Sequence, residues 1–256
     1  MATDRVQTIE IPMTGAASAQ AYLARPGNVG EDTGEHPGVL FFMDAIGLRP
    51  RIAEMVQRIA DWGYVVLAPN VFHREGRAEE LAPTADLTQP GAREDFFAQA
   101  MPRVRALTAD LAEHDLPVYL AALRNLPGVA AGPVGATGYC MGARLSLRAA
   151  CLDPGVAAVG GFHGGGLVTE DPDSPHRGLP RARAEFVFGH ADQDRSMPAA
   201  AVEALGEALD EAGLTARNEV YAGAAHGYSM ADTSMYDEPA TERHFAELQG
   251  LFSRTL

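Results

Sequence analysis

Cys140 stands between two glycines, Gly138 and Gly142, in the run P-V-G-A-T-G-Y-C-M-G-A-R over residues 133–144. This is the nucleophile-elbow pattern G-x-S-x-G with a thiol in place of the hydroxyl. A tight corner from strand to helix holds its central residue at positive φ, so the positions two before and two after must lack colliding side chains. The sulfur is thereby held clear of the backbone at the first turn of a helix. Unpaired N–H groups and the helix dipole there favour a thiolate and, beside it, an oxyanion. A Gly-rich turn around a buried structural cysteine would read the same over five residues, so the rest of the chain must separate the two.

A thiol with a pKa near about 8.5 needs a base to be reliably ionised, and a carboxylate to fix the tautomer of that base. His226, in Ala225-His226-Gly227, supplies the imidazole, and Asp192 and Asp194 are the two candidate carboxylates. With Asp44, all of these groups fall just past stretches that read as strands. In an open parallel sheet, functional groups collect at the carboxyl ends of strands. Nucleophile, acid and histidine also follow one another in the chain order of α/β-hydrolases.

The elements that must position these groups are legible in outline. Residues 6–11 and 19–24 alternate loosely and predict an antiparallel hairpin at a sheet edge, followed by a polar loop over 28–37. The continuous apolar run 38–43 suits a strand buried on both faces and ends at Asp44. Ile52, Met55, Val56 and Ile59 recur at helical spacing within 50–62, with Gly63 placed as the stop, and 64–68 is a second buried strand. Strand, helix, strand at this spacing is a parallel βαβ unit. Helices are expected over 92–101 and 103–125, interrupted near Pro102 and Pro117, then strand 134–139 and helix 141–152. Strand 156–162 leads into His163 and three glycines. Strand 185–190, helix 198–213, strand 216–221 and helix 238–251 complete the chain. The expectation is a single-domain α/β fold over 1–256 with a mostly parallel central sheet flanked by helices.

Composition narrows the function classes. The chain has 256 residues, 46% hydrophobic and 21% charged, enough for one large core. Its net charge of −14 disfavours nucleic acid and anionic membranes as partners, since both attract basic surfaces. No basic start followed by an apolar run and no stretch of about 18 apolar residues occurs, so a cytoplasmic protein, monomeric or a small homo-oligomer, is expected. Cys140 and Cys151 fall at opposite ends of one predicted helix, about 16 Å apart at about 1.5 Å per residue, too far to bridge. Cys140 is expected to be a free thiol and Cys151 a core residue. No Cys/His spacing of the zinc kind is present, and no cofactor is expected.

Over residues 39–228 the chain resembles the dienelactone hydrolase family of the α/β-hydrolase superfamily. The likeness rests on G-Y-C-M-G around Cys140, on A-D-Q-D-R-S-M-P, on A-H-G-Y around His226, and on D-A-I-G after the strand ending at Met43. It implies a carboxylic-ester hydrolase that opens lactones or cleaves esters of small molecules without metal or cofactor. Cys140 would be the nucleophile and His226 the general base. In the family the triad aspartate lies four residues before a proline, which favours Asp194, before Pro198, and leaves Asp192 as the alternative. Asp44 takes the place of an acid, usually glutamate, that helps set the protonation of the thiol. The N–H groups of Ala45 and Met141 would form the oxyanion hole.

The substrate arginines differ from the family pattern. The position four after the histidine is Met230, leaving Arg93 as the remaining match and suggesting a substrate less charged than dienelactone, or one held differently. His163 borders the pocket or serves as hydrogen-bonded structure, Phe96 or Phe97 could line it, and Arg144 is expected to pin the elbow helix to a neighbouring loop. A different class of function, a hydrolase-shaped thiol protein used for redox sensing or ligand binding, shares the same cysteine.

Overall fold

Gly38–Phe42 (β3), Val65–Pro69 (β4) and Val134–Tyr139 (β5) are buried at every position, which is why their sequences run apolar rather than alternating. The computed structural model describes residues 5–15, 18–27 and 34–256; residues 28–33 of the expected polar loop lie outside the described residues. Gln7–Ile11 (β1) and Ala19–Ala24 (β2) form the predicted hairpin, and β2 pairs antiparallel with β4. Val156–Phe162 (β6), Glu185–Ala191 (β7) and Ala216–Tyr221 (β8) extend the parallel part. Among the described residues the sheet has eight strands, in the order β1-β2-β4-β3-β5-β6-β7-β8.

This order creates the place where a site can form. From β3 the chain crosses through Pro50–Ala60 (α1) to β4 on one side, and later returns to lay β5 on the other side of β3, in register Leu40 to Ala136 and Phe42 to Gly138. Adjacent strands whose connections leave in opposite directions open a crevice at their carboxyl ends. Asp44 and Cys140 stand at that crevice.

Helices cover both faces. In α1 the proline at the first position suits a helix start, and Ile52, Met55, Val56 and Ile59 form its buried stripe. Met141–Leu152 (α5) buries Leu145, Leu147, Ala149 and Ala150, and Glu238–Thr255 (α7) buries Phe245, Leu248, Leu251 and Phe252. Ala199–Glu211 (α6) packs on the β7–β8 end. Among the described residues no helix is long and apolar enough to cross a membrane.

The segment between β4 and β5 departs from the expectation. A short helix, Ala78–Leu81 (α2), precedes Ala92–Ala106 (α3) and Ala109–Arg124 (α4), and both long helices run through their prolines, Pro102 and Pro117. The break falls instead at Thr108, whose hydroxyl accepts from Leu111 N at 3.3 Å as an N-cap. A cap that satisfies an orphan N–H marked the boundary better than the missing donor of a proline. The loop after His163 also contains a 3-10 helix, Pro175–Arg181, that its prolines concealed.

Candidate active site

The corner at Cys140 is set by three backbones in near contact. Cys140 has φ 54°. A Cβ at Gly138 would lie 2.0 Å from Gly142 O, and one at Gly142 would lie 2.3 Å from Phe42 O and 2.6 Å from Met43 O. The elbow helix therefore presses on the end of β3, and any side chain at these positions would drive the two apart. This close approach brings the segment 44–46 alongside the sulfur.

His226 follows β8 and lines the same pocket as Cys140, close enough for its ring to act on the sulfur. Its other partner is Asp194, with Nδ1 and Oδ2 2.6 Å apart. The second oxygen of Asp194 accepts from Ser196 N at 2.8 Å and Ser196 Oγ at 2.7 Å. The carboxylate is thus held on both oxygens and fixes the ring so that Nδ1 faces it and the opposite edge faces the sulfur. Asp192 is not part of this arrangement: its carboxylate accepts from Gly223 N at 2.8 Å and ties together the turns after β7 and β8. Two residues separate the aspartates, but the turn between them aims only Asp194 at His226.

Charge follows geometry. Burial pushes the Cys140 thiol up, but the charge and hydrogen bond of His226 outweigh it, and the net direction is down. For His226, burial pushes down, while the sulfur and Asp194 together push it up to about 10. Each group thus favours the charged form of the other, thiolate beside imidazolium. Asp194 is pushed up by burial and held below the usual carboxylate range by His226 and Ser196. Cys151, with no such partner, is pushed up by burial to about 11; both cysteines are free.

Asp44 lines the same pocket, yet its carboxylate is committed elsewhere. Arg49 donates to Oδ1 at 2.7 Å and to Oδ2 at 3.1 Å, and Ile46 N donates to Oδ1 at 3.1 Å. Arg49 is itself spanned by Asp232 through Nε at 2.5 Å and by the Gly47 carbonyl. The charge of Asp44 pushes the thiol up, against ionisation. Met141 N–H points at the Cys140 sulfur, and Ala45 N–H has no backbone partner among the described residues. The carbonyls of Ala45 and Ile46 are gripped by Arg103 Nη2 from α3 at 2.9 and 3.1 Å.

The pocket over the sulfur is lined by Asp44, Arg93, Phe97, Cys140, His163 and His226, together with Met230 and Thr233. It encloses about 10 Å³, room for about one water. Phe97 and Arg93 from α3 close it, the guanidinium lying 4.6 Å from the Phe97 ring centre. Met230 sits with its sulfur 3.3 Å from Arg49 Nη2. His163 is fully buried at φ 36°, its Nε2 2.8 Å from Ser229 Oγ and its ring 5.4 Å from that of His226. Burial and then the neighbouring His226 and His244 charges push it well below the usual histidine range, so it is neutral. It is both hydrogen-bonded structure and pocket wall. Among the described residues no cluster of His, Cys, Asp and Glu is arranged to hold a metal ion.

Ser196, Arg49, Asp232 and Arg103 were not signalled by the sequence. Each acts through a contact with a residue distant in the chain or through a turn, and none has a periodic spacing that would mark it. Ser196 alone carried a trace, as part of A-D-Q-D-R-S-M-P.

Comparison with known proteins bears on the family and the fold. The family profile described as "Dienelactone hydrolase family" matches residues 19–256. A Synechocystis sp. protein provisionally named a carboxymethylenebutenolidase is 26% identical over 92% of this chain and 91% of its own. Carboxymethylenebutenolidase 1 of Cupriavidus pinatubonensis is 27% identical over 62% of each chain. A Klebsiella pneumoniae structure provisionally named a dienelactone hydrolase superposes with TM-score 0.78 at 23% identity, covering 97% of this chain and 98% of that one, a likeness of fold.

Proposed function

The chain belongs to the dienelactone hydrolase family and is a hydrolase of ester or lactone bonds; from that premise we propose that it works through a Cys140–His226–Asp194 triad and a thioester acyl-enzyme, on a small carboxymethylenebutenolide-like lactone or activated ester. The observation that carries the reading is His226 placed between the Cys140 sulfur, with which it shares the pocket, and the Asp194 carboxylate, 2.6 Å from its Nδ1.

A thiolate beside an imidazolium fixes the order of proton movements. The Cys140 thiolate attacks the acyl carbon, and the carbonyl π electrons move to oxygen. Met141 N–H and Ala45 N–H receive that oxyanion; one such donor is worth on the order of 3 kcal/mol in the transition state. The acyl–oxygen bond breaks as the His226 imidazolium gives its proton to the departing oxygen, leaving a thioester and neutral His226. Water then attacks the thioester while His226 takes its proton. Sulfur leaves as thiolate, restoring the pair. Asp194 holds the tautomer throughout and stabilises the imidazolium. A thiolate attacks and leaves readily, so enol esters and lactones suit the site and unactivated amides do not.

Mass spectrometry during turnover of p-nitrophenyl esters and lactones tests this. A transient acyl adduct on Cys140, lost in Cys140→Ala together with activity, is expected. Undiminished turnover in a folded Cys140→Ala would remove Cys140 from the mechanism, and oxidation adducts without turnover would favour the redox-thiol reading.

A further inference from the structure

One turn beyond Cys140 on the elbow helix, Arg144 is half-buried and, among the described residues, makes no hydrogen bond or ion pair. The expectation that it pins α5 to a loop is corrected here: it lies beside Gly166 without donating to it, a Cβ there standing 3.6 Å from Nη1. Two other arginines that meet buried carboxylates are fully engaged by them. Arg49 is tied to two carboxylates, and Arg74 grips the buried Asp115 at 2.5 and 2.7 Å. A guanidinium taken out of water without a counter-charge is costly, and such a group persists where something else satisfies it. Burial lowers its pKa, with the Cys140 sulfur opposing and Arg148 adding to the fall, as desolvation without a nearby carboxylate requires.

Arg144 borders a cavity of about 260 Å³ between α3, α4, α5 and the loop after β6. Arg105, Arg148, Thr108 and Thr169 also line it, as do two acids, Asp171 and Asp173. Arg148 is already engaged by Glu113 at 2.5 Å and by the Asp173 carbonyl. Arg105 is exposed and, like Arg144, unpaired among the described residues. Asp171 accepts from Thr169 Oγ1 at 3.2 Å. The cavity thus presents two guanidinium groups without a partner among the described residues, Arg105 and Arg144, in a chain of net charge −14.

We propose that this cavity binds the anionic group, carboxylate or phosphate, of a small molecule, with Arg144 receiving it. The site is distinct from the pocket over Cys140, and the two share no lining residue. They share walls instead. Helix α3 gives Phe97 to one and Met101, Val104 and Arg105 to the other. Gly166 borders the cavity, while its neighbour Gly165 backs onto Ser196 and His226. The volume is below that of sites for drug-sized ligands and fits a metabolite of a few carbons. The inference does not depend on the hydrolase mechanism.

Calorimetric titration with inorganic phosphate and, separately, with succinate, at ionic strength held constant with chloride, tests it. Saturable binding of at least one anion is expected in the parent and in Cys140→Ala alike. Arg144→Met should weaken it about tenfold or more, the loss expected for a charged hydrogen bond, while Arg144→Lys retains part of it. Phosphate alone would indicate a phosphorylated ligand, succinate alone a carboxylate, and either supports the site. Arg144→Met should melt no lower than the parent. Binding of neither anion, equal binding by Arg144→Met, or a clear drop in its melting temperature would each overturn the proposal.

Discussion

His226 Nδ1 and Asp194 Oδ2 are 2.6 Å apart, whereas Asp192, two residues earlier in the same turn, is fastened to Gly223 N. The difference predicts unequal effects of the same substitution. Asp194→Asn leaves the shape intact but presents the wrong group to Nδ1, and should lower kcat by about three to four orders of magnitude. Asp192→Asn should change kcat by less than about threefold and act mainly through the turn it ties. Equal losses in both, measured on a p-nitrophenyl ester, would refute the assignment.

The thiolate–imidazolium pair predicts a pH dependence whose sign can be worked out. The Cys140 thiol is lowered by His226, while burial and Asp44 push it up. In the parent, alkylation of Cys140 by iodoacetamide should stay fast below the ordinary thiol range near about 8.5 and fall only at lower pH. In His226→Ala the two raising effects remain without their opponent, so the midpoint should move above the ordinary value. For stability, the raised value of His226, to about 10, contributes fully below its unfolded value of about 6.5 and is lost as pH rises toward 10. The lowered thiol contributes above its unfolded value and is lost as pH falls through its folded one. Melting temperatures across pH 5 to 10, compared between parent and His226→Ala, check both directions.

The elbow predicts its own intolerance. Gly142→Ala places a methyl 2.3 and 2.6 Å from the carbonyl oxygens of Phe42 and Met43, which are backbone and cannot turn aside. A cost of about 3 kcal/mol or more is expected, or roughly 10 °C in melting temperature for a chain of this size, with activity lost in whatever fraction stays folded. A stable and active Gly142→Ala would contradict the close approach of α5 and β3.

These contacts explain which parts could be seen in the sequence. The corner was legible because everything it needs is local: an apolar strand, a thiol, glycines at minus two and plus two, and a helix. The parallel strands were legible because burial on both faces leaves an unbroken apolar run. Asp44 could be placed at a strand end, but not its engagement, because Arg49, which holds it, is itself held by Asp232, 183 residues along the chain. The helix boundary at Thr108 was masked by Pro102, a stronger local signal that tertiary packing overrode.

Arg103 reaches from α3 to the carbonyls of Ala45 and Ile46, and through Nη1 to Leu81 O at 3.1 Å. It touches no reacting atom and acts by fixing the peptide that presents Ala45 N–H. Arg103→Met should therefore lower kcat by about ten- to a hundredfold, less than full loss of an oxyanion donor, with KM little changed. Arg103→Lys should recover part of it. If the variant instead raises KM at constant kcat, its role is in closing α3 over the pocket.

Among the described residues Arg93 is the remaining unpaired cation in the pocket over Cys140, since Arg49, beside Met230, has its donors committed to Asp44, Asp232 and Gly47. A substrate carboxylate can therefore meet one free guanidinium, not two, and that one sits on the helix that closes the site. Arg93→Met should raise KM for lactones or esters bearing a carboxylate by about tenfold or more, the value of one charged hydrogen bond, and leave neutral p-nitrophenyl esters within about twofold. Restoring the second cation with Met230→Arg would place it against Arg49, so it should not improve KM unless Asp232 releases Arg49. Equal effects of Arg93→Met on charged and neutral substrates would show that its stacking on Phe97, and not its charge, is what the pocket uses.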